Sequence, residues 1–167
     1  MGRLDNKVAI ITGSNSGVGA ATAKLFAKEG AKVVISARRL PQLEEVAAEI
    51  RAEGGEVLVV QTDVSKAEDC ENLVEKTVEA FGKVDVLVNN AGVLEAGLKP
   101  IDVYSDEDCD WVYSINTKGT MYCTRAVLKY MIPANSGSII NLDSVAGAFG
   151  CGGASYVSSK AAIIGLT

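Results

Sequence analysis

The segment Lys7-Val8-Ala9-Ile10-Ile11-Thr12 is a short apolar run rich in β-branched side chains. It stops at Gly13-Ser14-Asn15-Ser16-Gly17-Val18-Gly19, after which a helical apolar pattern runs through Glu29. A strand that turns through glycines straight into a helix does not form a hairpin with its successor; the helix carries the chain across to a parallel neighbour. The rest of the chain repeats this alternation. Strand signals at 31–37, 56–61, 84–88 and 137–142 are separated by helical patterns at 41–53, 66–81 and 105–131, and a further helix opens near Ala154. Runs such as Val57-Leu58-Val59-Val60 and Val86-Leu87-Val88 lack polar alternate residues, which predicts burial on both faces. The expected fold class is α/β, a doubly wound parallel sheet between two helical layers. With 167 residues, no internal repeat and no low-complexity linker, residues 1–167 are expected to form a single domain.

The glycine turn has a chemical meaning in that position. Glycines permit a tight bend and let backbone N–H groups approach a phosphate, while the N-terminus of the following helix adds partial positive charge. The same glycines could serve only to relieve crowding; it is their place after the first strand of an alternating chain that points to a nucleotide. The spacing Gly13-x-x-x-Gly17-x-Gly19 departs from the Gly-x-Gly-x-x-Gly dinucleotide pattern, and no Gly-Lys-Ser/Thr suggests a P-loop. An acid at the end of the second strand would bind the ribose 2′-hydroxyl of NAD, but this strand ends Ile35-Ser36-Ala37-Arg38-Arg39. A guanidinium there pairs with a 2′-phosphate, which predicts NADP(H), although a solvated arginine pair ahead of Pro41 also fits.

A second cluster occupies 141–160: Asn141-Leu142-Asp143-Ser144, a run of small residues, then Tyr156-Val157-Ser158-Ser159-Lys160. A tyrosine four residues before a lysine shares a helix face with it, so an ammonium lies beside a phenol. Taken alone, the pair equally fits a half-buried tyrosine and a solvated lysine on a surface helix. The chain has no histidine, so proton transfer falls to Tyr, Lys, Asp, Glu or Cys. Cys70, Cys109, Cys123 and Cys151 lie far apart without a Cys-x-x-Cys, and no metal site is expected. A net charge of -5 argues against a nucleic-acid partner. No window approaches the roughly 18 apolar residues of a spanning helix. Residues 1–6 leave no room for a signal peptide and lack the Ser or Thr of a myristoylation site. The expectation is therefore a cytoplasmic protein with no membrane association.

In these residues the chain resembles the short-chain dehydrogenase/reductase family along its whole length. Thr12-Gly13-Ser14-Asn15-Ser16-Gly17-Val18-Gly19 resembles the family's cofactor turn, Asp63-Val64 its adenine contact, and Asn89-Asn90-Ala91-Gly92 the segment closing the central strand. Asn116, Ser144, Tyr156 and Lys160 match its catalytic four in order and spacing. The resemblance implies a Rossmann-like fold binding NADP(H), with NAD(H) the lesser alternative. It puts Gly13, Ser14, Asn15, Ser16, Gly17, Val18, Gly19, Arg38, Arg39, Asp63, Val64, Asn90, Ala91, Gly92, Tyr156 and Lys160 around the cofactor. Arg38 falls where NADP(H)-preferring members carry a basic residue, whereas Ser16 is not the second basic residue that some place in the turn.

The implied chemistry is hydride transfer between the cofactor and a carbonyl or secondary alcohol, such as an oxoacyl thioester, hydroxysteroid, sugar or small ketone. Tyr156 moves the proton on oxygen, Lys160 binds the nicotinamide ribose hydroxyls, Ser144 hydrogen-bonds the substrate oxygen, and Asn116 holds a water linking Lys160 to solvent. The alternative is a catalytically inactive NADP-binding regulatory or scaffold protein, but such proteins tend to lose the tyrosine or the lysine. The apolar helix 105–131 and the helix near Ala154 are expected to meet a second subunit in a homodimer or homotetramer. The loop 93–102 is expected to border the pocket, with Leu94, Leu98 and Ile101 as apolar lining. Family members run longer, so the resemblance also implies a C-terminally truncated chain lacking the last strands and the substrate lid.

Overall fold

Val8–Thr12 (β1) is the central strand of a five-stranded parallel sheet and is buried at every residue. The computed structural model describes residues 2–95 and 101–167. From β1 the chain runs through α1 (Gly17–Lys28), β2 (Lys32–Ala37), α2 (Leu40–Ala52), β3 (Val57–Gln61), α3 (Ala67–Phe81) and β4 (Val86–Asn89). It continues through α4 (Asp106–Tyr113), α5 (Thr120–Ala134), β5 (Ser138–Asn141), α6 (Val145–Phe149) and α7 (Ala154–Leu166). The strand order is β3-β2-β1-β4-β5, the Rossmann-like arrangement expected from the alternation.

Successive side chains of a strand point to opposite faces, and here each face finds a helical layer. Ile10, Val34 and Leu87, in register across the three central strands, pack with Leu73 and Val74 of α3 and Ala126 and Val127 of α5. The alternate residues Ile11, Ile35 and Val88 pack with Ala23 of α1 and Leu43, Val46 and Ile50 of α2. Fully burying a side chain such as Ile10 or Leu87 contributes about 1.5–3 kcal/mol. That is why these strands are apolar throughout rather than alternating.

The connection after β1 goes to β2 on one side, whereas the connection after β3 returns to β4 on the other. Reversal of the winding direction between β1 and β4 opens a crevice beyond their C-terminal ends, the usual ligand position in such sheets.

One element differs from its sequence expectation. The single helix expected over 105–131 is interrupted: α4 begins with a capping box, in which Ser105 Oγ accepts from Asp108 N at 3.2 Å and Asp108 Oδ2 accepts from Ser105 N at 3.3 Å. A π-helical segment, Ser114–Gly119, then joins α4 to α5. A Cβ on Gly119 would stand 3.0 Å from Val64 Cβ, so the glycine lets this wider turn approach the loop after β3. Strand β5 lies at the sheet edge and alternates between exposed and half-buried residues, with Ile140 42% exposed, as a chain lacking the family's last strands would leave it. No helix among the described residues is long and apolar enough to cross a membrane.

Candidate active site

The crevice is built by tying the turn after β1 to the end of β4. Thr12 Oγ1 accepts from the N–H groups of Asn90 and Ala91, both at 3.1 Å. The Asn90 amide donates to Thr12 O at 2.8 Å and to Gly13 O at 3.1 Å. Gly13 has φ +66°, and a Cβ there would stand 2.8 Å from Ala91 Cα; a side chain is excluded both by conformation and by space. The result is a backbone-walled cradle ahead of the N-terminus of α1.

A cavity of about 400 Å³ opens on this cradle. Of the residues predicted around the cofactor, Gly13, Asn15, Ser16, Val18, Arg38, Arg39, Asp63, Val64, Asn90, Ala91 and Gly92 line it. Ser14, Gly17, Gly19, Tyr156 and Lys160 do not. Ser14 is fully buried, donating to Ile11 O and accepting from Ser36 N at 2.9 Å each, and so braces the turn against β2. With its amide oxygen turned to Arg39, Asn15 accepts from Arg39 Nε at 3.3 Å and Nη2 at 2.7 Å. The Arg38 guanidinium has no hydrogen-bond or ion-pair partner among the described residues. Asp63 Oδ1 accepts from Ser65 N at 3.1 Å and Ser65 Oγ at 2.7 Å, ordering the loop after β3.

The proton-transfer candidates adjoin the same wall. A Cβ on Gly92 would stand 3.5 Å from Asn116 Oδ1 and 3.6 Å from Lys160 Nζ, so both side chains pack behind Gly92, which lines the cavity, without lining it themselves. Asn116, inside the π segment, accepts from Val93 N at 2.8 Å and donates to Val93 O and Ser159 Oγ, both at 3.0 Å. Its amide hydrogens are thus both spent within the protein, and its main-chain carbonyl accepts from Thr120 Oγ1 at 2.9 Å. Lys160 Nζ donates to Leu142 O at 2.7 Å and lies 6.0 Å from the centroid of the Tyr156 ring. Burial pulls the lysine below its ordinary pKa of 10.5, and the Asp143 carboxylate offsets part of that. Ser144 caps α6, its oxygen accepting from Ala146 N at 3.1 Å, which leaves its O–H free among the described residues. Leu94 and Ile101 are exposed, and Leu98 lies outside the described residues.

Residues 7–167 match the family model described as short chain dehydrogenase. The chain belongs to the short-chain dehydrogenase family. It is 41% identical over 169 residues to a 3-oxoacyl-[acyl-carrier-protein] reductase of Synechocystis sp., covering 100% of this chain and 68% of that one. An NAD+-bound xylitol dehydrogenase superposes with a TM-score of 0.95 at 36% identity, over 99% of this chain and 64% of that one. A metagenomic short-chain oxidoreductase in complex with NADP superposes with a TM-score of 0.93 at 37% identity, over 98% and 74%. The chain spans 64% to 68% of the length of three curated relatives it matches. Structures similar to this short-chain dehydrogenase thus include both NAD and NADP complexes.

Four structural contributors to the site escape the motif reading. Ala37, which ends β2, and Thr62, directly after β3, line the cavity, as does Ile115 of the π segment; the rule that ligands lie beyond the C-terminal ends of parallel strands would have pointed to the first two. Ser159, next to Lys160, anchors Asn116 through a contact between residues 43 apart in sequence. No local pattern signals that pairing.

Proposed function

We propose that this chain carries the cofactor-binding and proton-transfer machinery of an NADP(H)-dependent oxidoreductase acting on a carbonyl or secondary alcohol. The observation that carries this reading is the meeting of Asn116 and Lys160 at Gly92, which lines the crevice cavity. The cradle fits a dinucleotide: Gly13 packs closely against the Ala91 backbone and keeps the turn tight ahead of α1, whose N-terminus would favour a phosphate, and Arg38, which lines the same cavity without a partner among the described residues, would pair with a 2′-phosphate. When bound, the cofactor supplies or accepts a hydride at the substrate carbon.

The side chains of this chain handle the proton. The Tyr156 hydroxyl gives its proton to the substrate oxygen in reduction and takes it in oxidation. The Lys160 ammonium, oriented by Leu142 O, stabilises the negative charge left on that phenol oxygen. Ser144, whose oxygen is held by Ala146 N–H, donates its remaining O–H to the substrate oxygen. Asn116 fixes the strand-end segment at Val93 against the π segment, which sets the distance between cradle and α7. We also infer self-association through the exposed apolar residues of α4, α5 and α7.

A panel of ketones and secondary alcohols, followed by absorbance of the reduced cofactor, tests the reading. Tyr156→Phe is expected to lower turnover by at least about 10²-fold while NADPH binding stays nearly intact. Unchanged turnover removes the tyrosine from its role, and cofactor binding without turnover on any substrate favours a regulatory protein.

A further inference from the structure

Two sulfur atoms in the helical layer that carries α3 and α5 have no part in the mechanism above. Cys70 and Cys123, each at the end of the first turn of its helix, are 0% and 1% exposed. They face each other. Cys123 Sγ donates to Cys70 Sγ at 3.4 Å, and Cys70 Sγ donates in turn to the main-chain oxygen of Val64 at 3.5 Å. A buried cysteine can fill a core as a small apolar side chain, but a filler needs no directed S–H bonds, and here both thiol hydrogens point along one row. The row ends at the crevice.

Val64 lines the cavity ahead of the glycine turn, as does Ile115, which packs in the same cluster as both cysteines. The thiols thus lie one residue behind the cavity wall. A Cβ on Gly119 would stand 3.1 Å from the same Val64 oxygen, so the atom that accepts from Cys70 also packs against the π segment that holds Asn116. The hydrogen bond to Cys70, with burial, pushes the Cys123 thiol well above its ordinary range. Cys123 therefore keeps its proton, and Cys70 is the sulfur placed to attack an electrophile first.

We propose that Cys70 and Cys123 form a reversible disulfide that weakens dinucleotide binding, a redox-sensitive pair joined to the cofactor cavity through Val64. The coupling, though not the disulfide, rests on the reading of the cavity as a dinucleotide site. The oxidant is hydrogen peroxide, small enough to pass the cavity wall during local opening. Cys70 attacks one peroxide oxygen, the O–O bond breaks, and the departing hydroxide takes up the thiol proton as water, leaving a sulfenic acid. The Cys123 sulfur then attacks the sulfenic sulfur; an S–S bond replaces the S–O bond, and the hydroxyl leaves with the Cys123 proton as a second water. Two thiols lose two hydrogens and two electrons, and one peroxide becomes two waters. Sulfurs already in contact need only a small approach to bond. The disulfide has no hydrogen to give, so Val64 O loses its donor.

Cys109→Ser/Cys151→Ser removes the two more accessible thiols and leaves Cys70 and Cys123 as the remaining pair. Treated with hydrogen peroxide, this chain is expected to lose two hydrogens from its intact mass and to bind NADP+ about 3- to 10-fold more weakly by calorimetry. Dithiothreitol should restore both, and saturating NADP+, which covers the wall, should slow the oxidation. Cys70→Ala in the same background removes the Val64 donor without oxidation, so it should show the weaker binding from the start and no further change with peroxide. Circular dichroism checks its fold. Should it not fold, Cys123→Ala takes its place, with the NADP+ affinity of the reduced chain and no loss of two hydrogens. Thiols that stay open to alkylation after peroxide, or a mass that gains oxygen without losing hydrogen, overturn the pair, and so does a disulfide that leaves NADP+ affinity unchanged. NADP+ binding with no disulfide sinks the pair alone. A disulfide in a chain that binds no NADP+ even when reduced sinks the dinucleotide reading and leaves the thiol pair standing.

Discussion

Lys160 is only 6% exposed, and Leu142 O accepts its one hydrogen bond among the described residues, so its charge is expensive in the folded state. The sign of the pH dependence follows. Burial lowers the folded pKa below the ordinary 10.5, so between that lowered value and 10.5 the unfolded chain binds more protons than the folded one. Stability contributed at this position therefore rises with pH through that window, and below it the penalty is constant. Lys160→Met removes the titration. Urea unfolding should show the variant's stability advantage shrinking as the pH is raised toward 10.5; a gap independent of pH would contradict the assignment. Arg38 offers a sharper test of cofactor choice. Arg38→Ala is expected to weaken NADPH by about 10- to 100-fold, the worth of a charge-assisted hydrogen bond or two, and to leave NADH little changed. Tighter NADH than NADPH binding by the wild-type chain would exclude the 2′-phosphate role. Arg38 was legible from its place at the end of a strand signal, whereas Ser14, in the same motif as Gly13, turned out to brace the turn from within. Motif membership does not say which way a side chain faces.

Among the elements, the π segment Ser114–Gly119 has the most consequence for the site. A π turn widens the helix by one residue and is met mostly at functional positions. Here it lets the Asn116 amide satisfy both backbone groups of Val93, at 2.8 and 3.0 Å, while Gly119 approaches Val64. Asn116→Ala would leave the half-buried Val93 N–H and C=O without their protein partner, and is expected to cost about 1–2 kcal/mol in urea unfolding. A loss below about 0.5 kcal/mol would show that water replaces the amide at no cost, and that the segment does not depend on it. The helical pattern over 105–131 was legible as helix because its apolar residues recur at helical spacing. The extra residue was not. It is selected by partners at Val93 and Ser159, remote in sequence, rather than by propensity within the helix.

For the molecule as a whole, the apolar surface left exposed on α4, α5 and α7 is the basis for the association proposed above. Trp111 of α4 is 41% exposed, and Met121 of α5 and Ile164 of α7 are exposed with it. Sedimentation at micromolar concentration is expected to give a dimer or tetramer, and a monomer alone would count against the proposed interface. The sheet order extends the same lesson to the fold. The alternation of strand and helix implied a parallel sheet, and burial on both faces followed from the unbroken apolar strands. Which strands become neighbours depends on how the helices divide between the two faces, whereas the edge position of β5, with Ile140 partly exposed, was expected of a chain lacking the family's last strands.

From its residues alone this chain declares the strand, glycine turn and helix, the alternation that follows, and the order of Asn116, Ser144, Tyr156 and Lys160. Each of these is written in local spacing, where propensity and periodicity act between near neighbours. The tertiary structure decides the rest: Gly92 set against Lys160 and Asn116, Ser159 holding the π segment, and Cys123 set on Cys70 behind Val64. These contacts join residues tens of positions apart, and they exist only once sheet register and burial have fixed where each strand ends.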